Sequence, residues 1–406
     1  MKIVNVKKFG AVGDGVTLET EAVQKAIDSL GKGDTLLFSD GIFVTGTLSL
    51  KSDMTIIIDK TAEICGSRNI EHYRDCGFFH NEMGETVSLM YALDCDNITI
   101  KGSGKIQFSG DAFADFDNCI PDYINPKSVK REWEEQMVVA TKKRPTQPVF
   151  FNNCKNIHID GIKLFNSPCW TLVFSNCEDV LIENIYVDNH NRIPNNDGIH
   201  CSASKNIILR NSMLLCGDDC FAATCITNWD GVSENIQIHD CLMSSRSAAM
   251  RFGHLASRVR NVSVSNVKVY RSNRAAIVFA ENGGAIDGIR FENIESETTI
   301  HAGNWWGKGE GFVICADNSD GSIKNISFKN CHFLQEQPSI IAGKNENIEN
   351  IILDNCEFEY QKGNTHPYYI EKLDLQPNIP EITEAPFKIR DKLYIKQNGS
   401  KNVIIK

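Results

Sequence analysis

From residue 34 onward the chain is filled by short runs of alternating apolar and polar residues closed by Asn, Asp or Gly, beginning with DTLLF, GIFVTGTLSL, MTIIID and AEICGS. Period-two alternation is the mark of a strand that buries one face. One phrase recurs, an Asn or Asp followed by alternating β-formers: NITI (97–100), NIHI (156–159), DVLI (179–182), NIIL (206–209), NIQI (235–238), NVSV (261–264), NISF (325–328) and NIIL (350–353). Between Asn156 and Asn261 the starts step by 23, 27, 29 and 26 residues. A repeat of this length means stacked units sharing one core, and the strand content makes each unit a coil of a right-handed parallel β-helix, with about three strands per coil. A propeller fits worse, because its blades repeat at about 40–50 residues, and sandwiches repeat no phrase.

The first thirty residues follow a different period. A short strand and the loop FGAVGDGVT lead into a stretch where Val23, Ala26, Ile27 and Leu30 share one helical face. This predicts a helix lying over the first coil, whose apolar end and unpaired edges need a cap. The expected architecture is therefore all-β: a single-stranded right-handed parallel β-helix with an N-terminal capping helix, forming one domain. Residues 1–33 are the cap, 34–360 the coils and 361–406 an irregular, Pro-containing C-terminal tail. Two insertions break the rhythm, residues 109–148 with Tyr123 and Trp133, and residues 296–311 with adjacent Trp305 and Trp306. Long loops on a rigid scaffold carry recognition, and aromatic faces suit the C–H faces of sugars. Trp305 and Trp306 are thus candidate substrate contacts, with filling of an apolar gap as the plainer role.

Composition narrows the partners. A formal charge of -10 without a basic cluster argues against nucleic acid, and no apolar run is long enough to span a bilayer. Of the 15 cysteines, Cys154, Cys177, Cys241, Cys331 and Cys356 recur beside Asn or Asp in NNC, SNC, HDC, KNC and DNC, which predicts small inward-facing thiols stacked from coil to coil. No CxxC pair or His pair at ligand spacing suggests zinc, and neither a metal nor a cofactor is expected. Free thiols and a start without an apolar h-region favour a cytoplasmic protein; a secreted one whose leader has been removed is the alternative. The oligomeric state stays open.

Residues 194–225, PNNDGIHCSASKNIILRNSMLLCGDDCFAATC, place Asp197, Asp218 and Asp219 in an otherwise apolar region. Burying a carboxylate is costly, so three together need a reason. An Asp-Asp pair on a strand would point to opposite faces unless a turn intervenes, and its plainest role is to cap backbone amides. Asp197, however, precedes Asp218 by 21 residues, close to one coil, which puts all three acids on one patch. Crowded carboxyls push their pKa values apart, the requirement for paired acid and base in glycosidic cleavage.

These residues resemble the polygalacturonase-type glycoside hydrolases of family 28, right-handed β-helices that cleave pectic polysaccharides with inversion. The opening FGAVGDG is similar to the start of that superfamily, and the likeness covers roughly residues 1–335. Asn195-Asn196-Asp197 resembles the family's Asn-Thr-Asp motif, Gly217-Asp218-Asp219 its Gly-Asp-Asp motif, and Gly253-His254-Leu255 its Gly-His-Gly motif without the second Gly. The resemblance implies Asp218 as general acid, Asp197 and Asp219 as bases that activate water, and His254 as the neighbour that tunes the acid. The family's Arg-Ile-Lys motif is missing: the chain reads NRAAIVFAENGG from 273 to 284. Arg251 or Arg274 is the candidate replacement for gripping a sugar carboxylate, and Asn195 and His200 are further candidate substrate contacts. The expected activity is exo cleavage of short pectin-type oligosaccharides. A calcium-dependent β-helix lyase and a non-catalytic carbohydrate-binding solenoid are the alternatives.

Overall fold

Asparagine shapes the coils. In the structure, a computed structural model, the residue opening each repeated phrase has a left-handed backbone: Asn97, Asn156, Asp179, Asn206, Asn235, Asn261, Asn325 and Asn350 have φ between 53° and 60°. Asn and Asp tolerate this region best after Gly. Their side chains also tie coil to coil. Asn156 Nδ2 donates to Asn97 Oδ1 at 2.7 Å, Asn206 to Asp179 at 2.9 Å, Asn235 to Asn206 at 2.9 Å and Asn261 to Asn235 at 2.7 Å.

The structure describes residues 1–119, 137–141, 143–299, 301, 307, 309–317, 320–361 and 392–406. The central coils contribute three parallel strands, as in Val149–Asn152, Lys155–Asp160 and Lys163–Phe165, followed by Leu172–Ser175, Glu178–Glu183 and Tyr186–Asp188; from Ser233 on, the second and third merge into one long strand, as in Ser233–Ser245 and Arg258–Ser272. The first strand of each coil joins an 11-stranded sheet and the others a 20-stranded one. Along the 11-stranded sheet, Phe151, Phe174, Cys201, Ala223, Phe252, Val278 and Ile314 stack inward in register and form the core. The alternate row, Val173, His200, Ala222, Arg251, Ile277 and Val313, faces outward. This outer row carries the site.

The helix Thr20–Asp28 buries Val23, Ala26 and Ile27, with Leu30 just beyond it, against the first coil. Cys154, Cys177 and Cys241 are free thiols within the core. Of the expected long insertions, Ala114–Cys119 pairs antiparallel with Val138–Ala140. Trp305, Trp306 and the tail between 362 and 391 lie outside the described residues. One element escaped the sequence reading: strands Asp75–His80 and Gly84–Val87 form an antiparallel hairpin. It folds over the outer face, where Phe78 and Met83 pack against Phe150, Trp170 and Val173.

Candidate active site

Strand register assembles the acids. Ile199 pairs with Phe221, and Phe221 with Met250, which sets Asp197 beside Asp219 and Asp219 beside Ala248 on successive coils. Asp218 and Asp219 occupy the expected bend, between Met213–Cys216 and Phe221–Thr224. Two glycines permit the close stacking: a Cβ on Gly198 would lie 2.6 Å from the Cys220 carbonyl oxygen, and one on Gly217 2.6 Å from Asn196 Oδ1. Asn196 stitches the two turns together. Its Oδ1 accepts the N–H groups of Gly217 and Asp218 at 2.7 and 3.1 Å, and its Nδ2 donates to the His190 carbonyl at 2.8 Å.

The carboxylates differ in how they are held. Asp219 Oδ1 accepts from Ser247 Oγ at 2.8 Å and the Ala248 N–H at 3.0 Å, while Arg251 Nε meets Oδ2 at 2.9 Å. Asp197 Oδ2 lies 3.0 Å from His200 Nδ1, but its buried Oδ1 has no hydrogen-bond partner among the described residues. Asp218 Oδ1 accepts the Asp219 N–H at 3.0 Å. All three, with His200, are between 1% and 4% exposed. Burial, then the charge of Asp219, pushes the Asp197 carboxyl well above the usual range. Burial opposes charge on Arg251, yet Asp219, Asp218 and Asp197 together raise its pKa.

The remaining candidates separate. His254 lies beyond the end of strand Ala248–Phe252, packs near Phe279, and makes no hydrogen bond to the acids among the described residues. The groups touching Asp219 come from Ser247, Ala248 and Arg251, and no described contact joins His254 to Asp218, the acid it was expected to tune. Burial, aided by Arg251, lowers the His254 pKa to about 3. Arg274 is corrected as a carboxylate grip, because it is 1% exposed and its Nε and Nη2 engage Glu310 on the next coil at 3.3 Å. Arg251 keeps its Nη atoms free of protein hydrogen bonds among the described residues. Asn195, at φ 59°, accepts from Arg144 Nη2 at 3.0 Å on the rim. His200 faces the acids but spends both ring nitrogens on protein groups, Nε2 lying 2.9 Å from Thr224 Oγ1.

Sequence reasoning missed Asn196, Ser247 and the aromatic wall. Trp170 stacks on His200 with centroids 4.0 Å apart, and His80 of the hairpin meets Trp170 edge-on at 4.8 Å. The wall closes one side of the site, since Val173, Phe150 and Trp170 are buried under the hairpin. On the other side Ile277, Phe279, Val313 and Ile340, also on the outer face, are buried as well. The acids thus lie between two stretches of buried outer face along the coil axis.

A parallel β-helix with buried carboxylates gathered on one outer sheet face defines a carbohydrate-cleaving class of solenoid. Residues 38–360 match the model of the glycosyl hydrolases family 28, and residues 3–71 match that of the rhamnogalacturonase A/epimerase, pectate lyase-like group. The chain belongs to the glycosyl hydrolases of family 28. It is 30% identical over 248 residues to an exo-poly-alpha-D-galacturonosidase of Dickeya chrysanthemi, covering 54% of this chain and 41% of that protein. The chain thus spans less than half the length of this relative. It is 24% identical over 399 residues to an exopolygalacturonase of Zea mays, covering 89% and 84%. The polygalacturonase of Erwinia carotovora ssp. carotovora superposes with a TM-score of 0.67 at 20% identity, covering 90% and 95%. A family 28 exopolygalacturonase of Yersinia enterocolitica gives 0.66 at 19% identity, covering 89% and 76%. The likeness of these two structures supports the right-handed β-helix. No described helix is long and apolar enough to cross a membrane.

Proposed function

We propose that this chain is an inverting exo-glycosidase that removes terminal sugars from short pectin-type oligosaccharides. The observation that carries this reading is the placement of the acids: three aspartates at adjacent coil positions, with the outer face buried on both sides. A polymer crossing an open groove needs an exposed floor at either side of the acids, whereas one chain end needs only a pocket. Asp218 protonates the leaving oxygen, and Asp197, through its unpartnered Oδ1, takes the proton of the attacking water. Asp219 has both oxygens engaged, so it supports Arg251 and the charge of the site. With Arg274 bound to Glu310, a preference for a sugar carboxylate rests on Arg251, and a neutral sugar fits the subsite as well. The free thiols accord with a reduced, cytoplasmic setting, where only short imported substrates arrive.

The test is cleavage of matched galacturonate and neutral pectic oligosaccharides, with products separated by chromatography and the first anomer read by NMR. Single sugars of inverted configuration, lost in Asp218→Asn with an unchanged melting temperature, are expected. Rapid internal scission of polymers, retained configuration or unsaturated products would overturn the reading.

A further inference from the structure

His200 stands where a sugar ligand was expected, yet its contacts are those of a support. Thr224 Oγ1 has no hydrogen-bond acceptor besides His200 Nε2 among the described residues. A hydroxyl donating to Nε2 leaves the ring proton on Nδ1, facing Asp197 Oδ2 at 3.0 Å. Trp170 stacked on one face of the imidazole prevents it from tilting, and His80 braces Trp170 from the hairpin. With Oδ2 held by this bond, Oδ1 is left buried and without a hydrogen-bond partner among the described residues.

We infer that His200 is a positioning residue for Asp197: its Nδ1–H fixes the carboxylate rotamer and favours the ionised, water-activating form. This rests on the assignment of Asp197 as base. Burial keeps the imidazole itself neutral, with its pKa lowered to about 4, so it contributes a dipole and a hydrogen bond rather than a charge. Other ionisable groups face this pair: Asp219 and Arg251 from the following coils, Glu82 and His80 from the hairpin, and His254 beyond Arg251. Asp218 and the thiols of Cys169 and Cys216 complete the surroundings. None of these is described as bonding Asp197 directly, whereas His200 does.

Three measurements on the full chain test the inference. His200→Leu is expected to lower kcat about 100-fold with KM within about threefold, and to move the acid limb of the pH profile upward. His200→Asn, whose amide N–H can replace Nδ1–H, is expected to recover at least about tenfold of the lost kcat and return the limb toward its original position. A rise in KM at unchanged kcat would make His200 a sugar ligand and overturn the inference. A fall in kcat without movement of the limb, or without rescue by Asn, would reduce it to packing. The third measurement needs neither a variant nor turnover: ring-nitrogen NMR of 15N-histidine-labelled protein at neutral pH should show His200 as the Nδ1–H tautomer. The Nε2–H tautomer overturns the inference whatever the enzyme cleaves, so this result is separable from failure of the exo-glycosidase reading.

Discussion

Asp197 is held in a place that resists its charge. Burial and the neighbouring Asp219 raise its folded pKa above the unfolded value. Relative to the unfolded chain, the folded form keeps this proton, so its stability contribution is present below the ordinary carboxyl pKa of about 4 and is lost as pH rises through the raised value. Asp197→Asn should therefore melt higher than the parent at neutral pH, with the difference vanishing below about pH 4, while activity falls by several orders of magnitude. Because a base must be ionised, kcat/KM should fall as pH drops through the raised pKa, placing the acid limb above the usual carboxylate range; a pH–rate profile checks this. The acids were legible because coil-length spacing places them one above another. For His254 the motif gives the coil but not the position along it. Register puts Ser247 and Ala248 beside Asp219, while Gly253 and His254 fall past the far end of that strand.

At the scale of elements, the same limit explains the unpredicted hairpin. Strands Asp75–His80 and Gly84–Val87 carry β-forming residues like those of the coils, and whether such a run joins the stack or folds over it is decided by its partners. Here Phe78 packs on Phe150 with centroids 5.2 Å apart, and Asn81 Nδ2 donates to the Ile226 carbonyl at 2.8 Å. Across the site, strands Arg274–Phe279 and Glu310–Ala316 are joined by the buried Arg274–Glu310 pair. Arg274→Met leaves Glu310 as a buried carboxylate without this partner, and should cost about 3–5 kcal/mol of stability. Turnover by the folded fraction should stay near that of the parent, because the pair lies outside the acid cluster. Urea unfolding alongside activity per folded molecule checks both halves.

The whole molecule is a stack whose coil contacts are nearly all to the adjacent coil, and the turn asparagines hold it in step. The repeat was readable in the sequence because the residue opening each phrase is one of several per coil with a left-handed backbone, which keeps Asn or Asp there however the strands vary. Asn235 both adopts this conformation and bonds Asn206 and Asn261. Asn235→Ala should cost about 1–2 kcal/mol for the backbone and more for the lost amide bonds, whereas Asn235→Gly should cost only the latter. Equal losses in thermal unfolding would show that backbone preference plays no part. The stack also separates two inheritances. The acids come from the coils, where a one-residue change in length would slide every rung, while the hairpin at residues 75–87 is an appendage laid across them. Lengthening or trimming that appendage would reshape the side of the site it covers and leave the rungs that carry the acids where they are.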